Sequence, residues 1–270
     1  TKTRLALLGN DVGCWILSAE RVVDSTKIDS FEVVVKESLT DSVTGIAIGV
    51  AGPVCNNNSK ISNLNWGVDG KVLSDTLNLP VYLLNDLEAH AFGLESLDPQ
   101  KMVELNNSAN SPRAGVKALI AAGTGLGECI LGWDGQIHSP IPSEGGHTDF
   151  APLIPRDTDL WNFLNSKYEH ISWERIVSGG EGFNNLVEFS IKQKITGFEP
   201  WADLLNANQT IASTVSMRAD KGDKFAIHIM NEFVRFYGAE TGNLALKSLP
   251  VAGIFIGGGV APKIKRWLMD

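Results

Sequence analysis

Glycine falls at the ends of short apolar runs in this chain, and that placement constrains the fold more than any other feature. Leu5-Ala-Leu-Leu8 runs into Gly9, Ile46-Ala-Ile-Gly-Val50 into Gly52, Ala118-Leu-Ile-Ala-Ala122 into Gly123, and Ile254-Phe-Ile256 into Gly257. A fifth run, Val81-Tyr-Leu-Leu84, ends instead in Asn85-Asp86. Short continuous apolar runs that stop at glycine read as buried strands turning sharply at their C-terminal ends. Helical patterns fill the gaps. Asp29 to Leu39 is one, with Ser30 as its cap and Val33 with Val34 on its apolar face; Leu87 to Leu97 is a second, and Leu160 to Tyr168, with Leu160, Phe163 and Leu164 at helical spacing, a third. The strongest is Lys224 to Leu249, where Phe225, Ile229, Phe233, Phe236 and Tyr237 form one stripe that reads as core packing. Strands alternating with helices give an α/β class, with ligands expected at the strand ends.

The 270 residues suit one large domain or two of roughly 100–150 residues each. The polar stretch from Glu104 to Gly115 reads as a connection, and the glycine turns near Gly9 and near Gly123 suggest two similar halves. A small domain over 1–98 and a large one over 99–270 are expected. The balance of 23 Lys+Arg against 31 Asp+Glu argues against a nucleic-acid backbone as partner. An anionic small ligand remains open, because backbone amides and one metal ion neutralise phosphates locally. Cys14, Cys55 and Cys129 are too few and too scattered for a disulfide framework or a zinc set, and read as free thiols in a reducing compartment. No apolar run approaches the roughly 20 residues of a membrane helix. The start, Thr1-Lys-Thr-Arg-Leu5, shows no signal-peptide core and no initiator Met, as at a fragment or a processed end.

Four short stretches carry residues capable of chemistry. Ala121-Ala-Gly-Thr-Gly-Leu-Gly127 follows a strand and has amides that can converge on an anion, with the Thr124 hydroxyl as a further donor; a plain hairpin turn fits it equally well. Asp86 at a strand end can accept a proton from a substrate hydroxyl that Asn85 positions, although alone it reads more readily as a helix cap. Ser143-Glu-Gly-Gly-His-Thr-Asp-Phe-Ala-Pro152 sets Glu144 and His147 three apart around a Gly-Gly bend, a loop able to aim a carboxylate and an imidazole at one polyol. Glu174 is a further polar group, or else a helix-surface carboxylate paired with Arg175 or Lys167. A zinc reading of His147 with Glu144 lacks further ligands, and a serine-triad reading lacks its Gly-x-Ser-x-Gly elbow.

Together and in this order, the motifs resemble the bacterial-type glucokinase family, particularly its cyanobacterial members. They are Gly49-Val-Ala-Gly-Pro53, Leu83-Leu-Asn-Asp86, Gly123-Thr-Gly-Leu-Gly127, Glu144-Gly-Gly-His-Thr-Asp-Phe-Ala-Pro152, Glu174-Arg-Ile-Val-Ser-Gly179, Gly242-Asn-Leu-Ala-Leu246 and Gly257-Gly-Gly-Val-Ala-Pro262. The resemblance implies an α/β, two-domain ribonuclease H-like/actin-like ATPase fold with the sugar and ATP in the interdomain cleft. It implies transfer of the ATP γ-phosphoryl to the 6-hydroxyl of glucose at the start of glycolysis, with Asp86 as general base. Asn85, Glu144, His147 and Glu174 would hold the sugar hydroxyls, all within one cleft. Thr124 and Gly125 would meet the transferring phosphate, and Gly257, Gly258 and Gly259 would lie along the adenosine. Asp11, with Gly13, would match the N-terminal phosphate loop and orient water bound to Mg2+, a metal that arrives through ATP rather than on protein ligands. Glucose and ATP are the implied partners, with no nucleic acid or membrane, in a cytoplasmic setting (or a plastid, if the start is processed); a homodimer is compatible with the resemblance.

The chain departs from the family pattern in two places. The family's first phosphate loop reads Asp-[Ile/Val]-Gly-Gly-Thr, whereas here Asp11-Val-Gly is followed by Cys14-Trp15. The chain also stops at Trp267-Leu-Met-Asp270, where the family continues into a returning helix of the small domain, so an exposed apolar face is expected on the N-terminal sheet. The alternative that follows from both departures is a non-catalytic sugar-binding or regulatory protein.

Overall fold

The structure is a computed structural model that describes residues 2–11, 14–60, 66–106, 113–206 and 211–269. It divides into two compact units, residues 1–102 and 103–270, so the division falls a few residues past Asp98. Of the expected connection from Glu104 to Gly115, residues 107–112 lie outside the described residues.

The first unit opens with an antiparallel hairpin, β1 (Lys2–Asp11) and β2 (Cys14–Asp24), with a register irregularity at Leu7/Leu8. It continues through α1 (Phe31–Ser38), β3 (Ile46–Val50), β4 (Asn58–Lys60), β5 (Gly67–Asp69), α2 (Gly70–Leu77), β6 (Val81–Asn85) and α3 (Asp86–Leu94). Strands β3 and β6 pair in parallel from Ile46↔Val81 to Val50↔Asn85. Val50, Val68, Leu73, Val81 and Leu83 make the core of this unit, with Phe31 stacked on Trp66 at 5.2 Å between ring centroids.

Three expectations change here. The first apolar run does not stop at Gly9. Its strand continues to Asp11, because backbone pairing of Gly9 with Ile16 outweighs the weak strand preference of glycine. Nor is that strand buried: Leu8 on β1 and Trp15, Ile16 and Leu17 on β2 are all exposed, as is Tyr82 on β6. In α1, Ser30 caps through the Val33 N–H as expected, but Val33 is exposed and Val35 is the buried residue. Val35 sits four residues after Phe31, on the face that Phe31 turns toward Trp66, and Val33 does not.

The second unit is built on a four-stranded sheet in the order β10-β7-β8-β9, comprising β7 (Lys117–Ala122), β8 (Leu126–Trp133), β9 (His138–Ser143) and β10 (Ile254–Gly257). Strand β10 lies parallel to β7, and the other pairs are antiparallel. Its helices are α4 (Pro155–Asn165), α5 (Glu181–Lys192), α6 (Glu199–Asn206), α7 (Ile211–Asp220), α8 (Lys224–Ser248) and α9 (Lys265–Leu268). Helix α4 starts earlier than periodicity indicates, because Pro155 suits a first helical position and the Asp157 carboxylate accepts the N–H groups of Leu153 and Ile154. Tyr168 falls beyond its end.

Helix α8 is the spine of this unit. Phe225, Ile229, Phe233, Phe236 and Tyr237 are all buried, which bears out the core reading of the stripe. Phe233 stacks on Phe183 with centroids 4.2 Å apart, and Phe150 sets its edge to both Phe236 and Trp173. Among the described residues, no helix is long and apolar enough to cross a membrane. Replacing Phe233 with Ala removes a ring from a site that cannot collapse around the gap. The expected loss is about 3–5 kcal/mol of stability, read as a lower urea midpoint by tryptophan fluorescence.

Candidate active site

The turn Gly123-Thr124-Gly125 joins β7 to β8, so the glycine motif is indeed a tight hairpin. It is also a hub. The Gly123 N–H donates to the Gly125 carbonyl at 2.8 Å, and the Gly123 carbonyl accepts the Gly179 N–H at 2.7 Å. Thr124 is exposed at the tip. The Glu174 carboxylate covers the returning side: its Oε2 accepts the Leu126 N–H at 2.9 Å, and a Cβ on Gly125 would collide with that oxygen. A side chain at 125 would therefore displace the Glu174 carboxylate from the Leu126 N–H. Glu174 stands on a single helical turn, Trp173–Arg175, fixed by the bond from the Trp173 N–H to the Thr148 carbonyl.

The pairing of Glu174 with Arg175 or Lys167 does not occur: Arg175 pairs with Glu181, and Lys167 with Glu188 and Asn185. Beside Glu174 stands His147, whose Nδ1 lies 4.0 Å from Oε2. Roughly half of the His147 side chain is exposed, against a quarter of Glu174, so the pair faces solvent over the glycine turn. His147 ends a short turn, Gly145–His147, that Glu144 opens with its carbonyl on the His147 N–H and its side chain exposed. The Ser143 hydroxyl accepts the Gly145 N–H, and the Thr148 hydroxyl donates to the Gly145 carbonyl.

The glycines that end and follow β10 close the other flank. Gly258 adopts φ +81°, and a Cβ there would strike the Ala122 backbone. The Val260 N–H then donates to the Ala122 carbonyl at 3.1 Å. The turns at Gly123–Gly125, Gly179–Gly180 and Gly257–Gly259 thus lie backbone against backbone. Gly179 and Gly180 were not expected as site residues, although Gly179 closes the Glu174–Gly179 motif and Gly180 directly follows it.

Asn85 and Asp86 belong to the first unit, at the junction of β6 and α3. Asn85, rather than Asp86, is the helix cap. Its Oδ1 accepts the Leu87 N–H, Glu88 reaches back to the Asn85 N–H, and its Nδ2 donates to the Gly52 carbonyl. Asp86 is the first helical residue, exposed, with Oδ1 also on the Leu87 N–H at 2.9 Å. The opposite carboxylate oxygen is thereby left toward solvent. Asp11 is exposed at the end of β1, where it pairs with Cys14. Gly13, the other residue of the expected phosphate loop, lies outside the described residues.

Chain comparison places this geometry. The glucokinase family model matches residues 1–270. The chain belongs to the glucokinase family. A glucokinase from Nostoc sp. is 34% identical over 86% of this chain and 72% of its own length, and one from Synechocystis sp. is 36% identical over 83% and 67%. The crystal structure of a glucokinase from an Antarctic psychrotroph superposes with a TM-score of 0.84 at 24% identity, covering 100% of this chain and 83% of that one. A Streptomyces griseus glucokinase of the ROK family, solved with glucose and AMPPNP, gives 0.58 at 20% identity over 94% and 83%. The fold is accordingly the actin-like ATPase fold of sugar kinases.

Behind the Glu144–His147 turn lies a buried acid that sequence inspection did not single out. Glu128 on β8 is enclosed, and a Cβ on Gly145 would collide with its Oε2. Burial first, and then the negative charge of the equally buried Glu240, push its carboxyl up to about 7, with Lys247 working in the opposite sense. A raised folded-state pKa means the native protein holds a proton that the unfolded chain releases above about 4.5. The group therefore costs nothing below that pH, and its cost grows as pH rises toward 7. Glu128→Gln removes the titration. Its Tm minus that of the unaltered chain should rise between about pH 5 and pH 8 in thermal melts; a flat difference would mean Glu128 does not titrate in that range.

Proposed function

We propose that this chain transfers the γ-phosphoryl group of ATP to the 6-hydroxyl of glucose, and that the residues above divide the work by what each has left to offer. The observation that carries the proposal is the Glu174 carboxylate. One of its oxygens is fixed by the amide that follows the Gly-Thr-Gly turn, with His147 beside it. In one small region, groups suited to sugar hydroxyls adjoin amides suited to phosphate.

Asp86 is the base. Its Oδ1 is held by the Leu87 N–H, and its free oxygen takes the proton of the 6-hydroxyl as that oxygen attacks phosphorus. Glu174, His147, Glu144 and Asn85 hold the other hydroxyls. Asn85 can do so while capping, because an amide has two lone pairs and two N–H groups, and the helix and Gly52 use one of each. A sugar lacking one of these hydroxyls would leave a polar group unpaired, which is the source of discrimination. Thr124 and Gly125 contact the transferring phosphate, and Gly257, Gly258 and Gly259 lie along the adenosine.

The donors around the glycine turns are amide N–H groups and a hydroxyl, which suit phosphate oxygens rather than a metal. Mg2+ therefore comes held by the phosphates of ATP, whose charge it neutralises. Asp11, exposed at the end of β1, would orient water bound to that Mg2+. A cytoplasmic setting, which supplies ATP, suits this chemistry.

The test is a glucose titration without nucleotide, followed by coupled detection of glucose 6-phosphate once Mg-ATP is added. Binding with turnover supports the kinase, whereas binding without turnover would favour a sugar-binding protein. Asp86→Asn should keep glucose affinity and lower kcat by about 10²–10⁴-fold. Glu174→Gln should weaken glucose binding in the same titration.

A further inference from the structure

We propose that Tyr237 is a positioning residue that sets the spacing between the phosphate turn at Gly123–Gly125 and the adenosine-side turn at Gly257–Gly259. The inference rests on reading those two turns as the nucleotide contacts. Tyr237 comes from α8, more than a hundred residues after the first turn, and only its hydroxyl reaches out of the aromatic stripe. That hydroxyl accepts the Ala122 N–H at 3.1 Å, and the carbonyls of Ile120 and Gly257 each lie 3.5 Å from it.

The need for this contact follows from the sheet. The parallel pairing of β10 with β7 ends at Gly257↔Ala121, one residue short of Ala122. Beyond that point the two strands diverge into their separate turns. Ala122 is fully buried, so its N–H has no access to water, and a buried unpaired amide is costly. Tyr237 supplies the partner from the helix layer. The Ala122 carbonyl is meanwhile taken by the Val260 N–H, so both backbone polar groups of this one residue are tied to elements that position the second turn. Burial pushes the Tyr237 phenol up to about 12. The group keeps its proton, and can accept from Ala122 while donating to the Ile120 or Gly257 carbonyl. A phenylalanine there would fill the same space and lose all three contacts, which separates positioning from packing.

The experiment is Tyr237→Phe in the full chain, compared with Phe225→Leu, a change on the same helix and in the same core that lies beside Trp201 at the far end from Tyr237. The expected result for Tyr237→Phe is a KM for Mg-ATP raised about tenfold, with the KM for glucose within about twofold. Phe225→Leu should lower Tm and leave both KM values in place. Equal changes in the two KM values, or none, would overturn the proposal. Amide hydrogen exchange gives a readout independent of turnover. In the variant, exchange at Ala122 and across 257–260 should accelerate while α4 and α5 keep their rates; uniform acceleration throughout 113–269 would reduce Tyr237 to a packing residue. Should the variant not fold, the unaltered chain still decides. Its Ala122 amide should exchange more slowly than those of Thr124 and Gly125, and equal rates would sink the idea. A chain that phosphorylates no glucose yet shows this exchange pattern would refute the kinase reading and leave the role of Tyr237 in the turns standing.

Discussion

The peptide at the end of β7 is the fixed point from which the rest of the candidate site is built. A strand that ends in a functional turn must leave its ladder, and the backbone groups released there need partners if the region is dry. At Ala122 the N–H goes to a phenol from the helix layer and the carbonyl to the amide of Val260. Because both backbone polar groups of Ala122 are committed, neither the Gly-Thr-Gly turn nor the turn after β10 can shift without breaking a buried hydrogen bond. Glycine at 258 is part of the same constraint. With φ +81° and the Ala122 backbone against it, no side chain fits. The turns can therefore offer amides to an anion without first having to be ordered by it, and preorganised donors of this kind are what charge stabilisation during phosphoryl transfer requires.

The loop bearing Glu144 and His147 is supported differently, and at some cost. Its glycine backbone rests on Glu128, a buried acid facing a second buried acid, Glu240. An apolar residue at 128 would avoid the desolvation penalty. The carboxyl lowers that penalty by holding a proton near neutral pH, so the loop floor is polar without carrying a full buried charge pair. Asn243 and Lys247, one and two turns along α8, donate to the Glu240 carboxylate and offset part of what remains.

Much of the fold was legible in local pattern, and what was not depended on partners distant in the chain. The strands at Ile46, Val81, Ala118 and Ile254 follow from apolar runs closed by punctuating residues, and the α8 stripe follows from helical spacing, because both signals are carried by neighbours in sequence. Val33 and Val35 illustrate the limit: α1 is correctly placed, but which valine is buried depends on Phe31 meeting Trp66, 35 residues later. The exposed β1 was read as buried because composition reports apolarity and not which strands flank it. At the site, Glu174 could be named from its motif, yet the bond that distinguishes it from a surface carboxylate spans 48 residues. Tyr237 carried only the periodicity of a core residue, since nothing near it in sequence says that its hydroxyl is needed. Glu128 carried no signal at all, as one acid on an otherwise apolar strand reads as an outward-facing residue until Glu240 is seen behind it.

Under the proposed function, the division of each side chain between protein and ligand explains why these residue types are needed at these positions. Glu174 gives Oε2 to the backbone and keeps Oε1, and Asp86 gives Oδ1 to the Leu87 amide and keeps Oδ2. Each carboxylate is thus oriented by one hydrogen bond and functional through the other. A shorter acid at 174 would lose about one methylene of reach and could satisfy only one of the two demands, whereas an amide would preserve the reach but put a donor or a single acceptor where two acceptors are used. At 86 the constraint is stricter still, because the residue must both sit at a helix start and retain a lone pair able to take a proton. Asn85, the neighbouring cap, frees it for that purpose: with the first orphan amides of α3 satisfied by the Asn85 side chain, Asp86 is not required to serve as the cap.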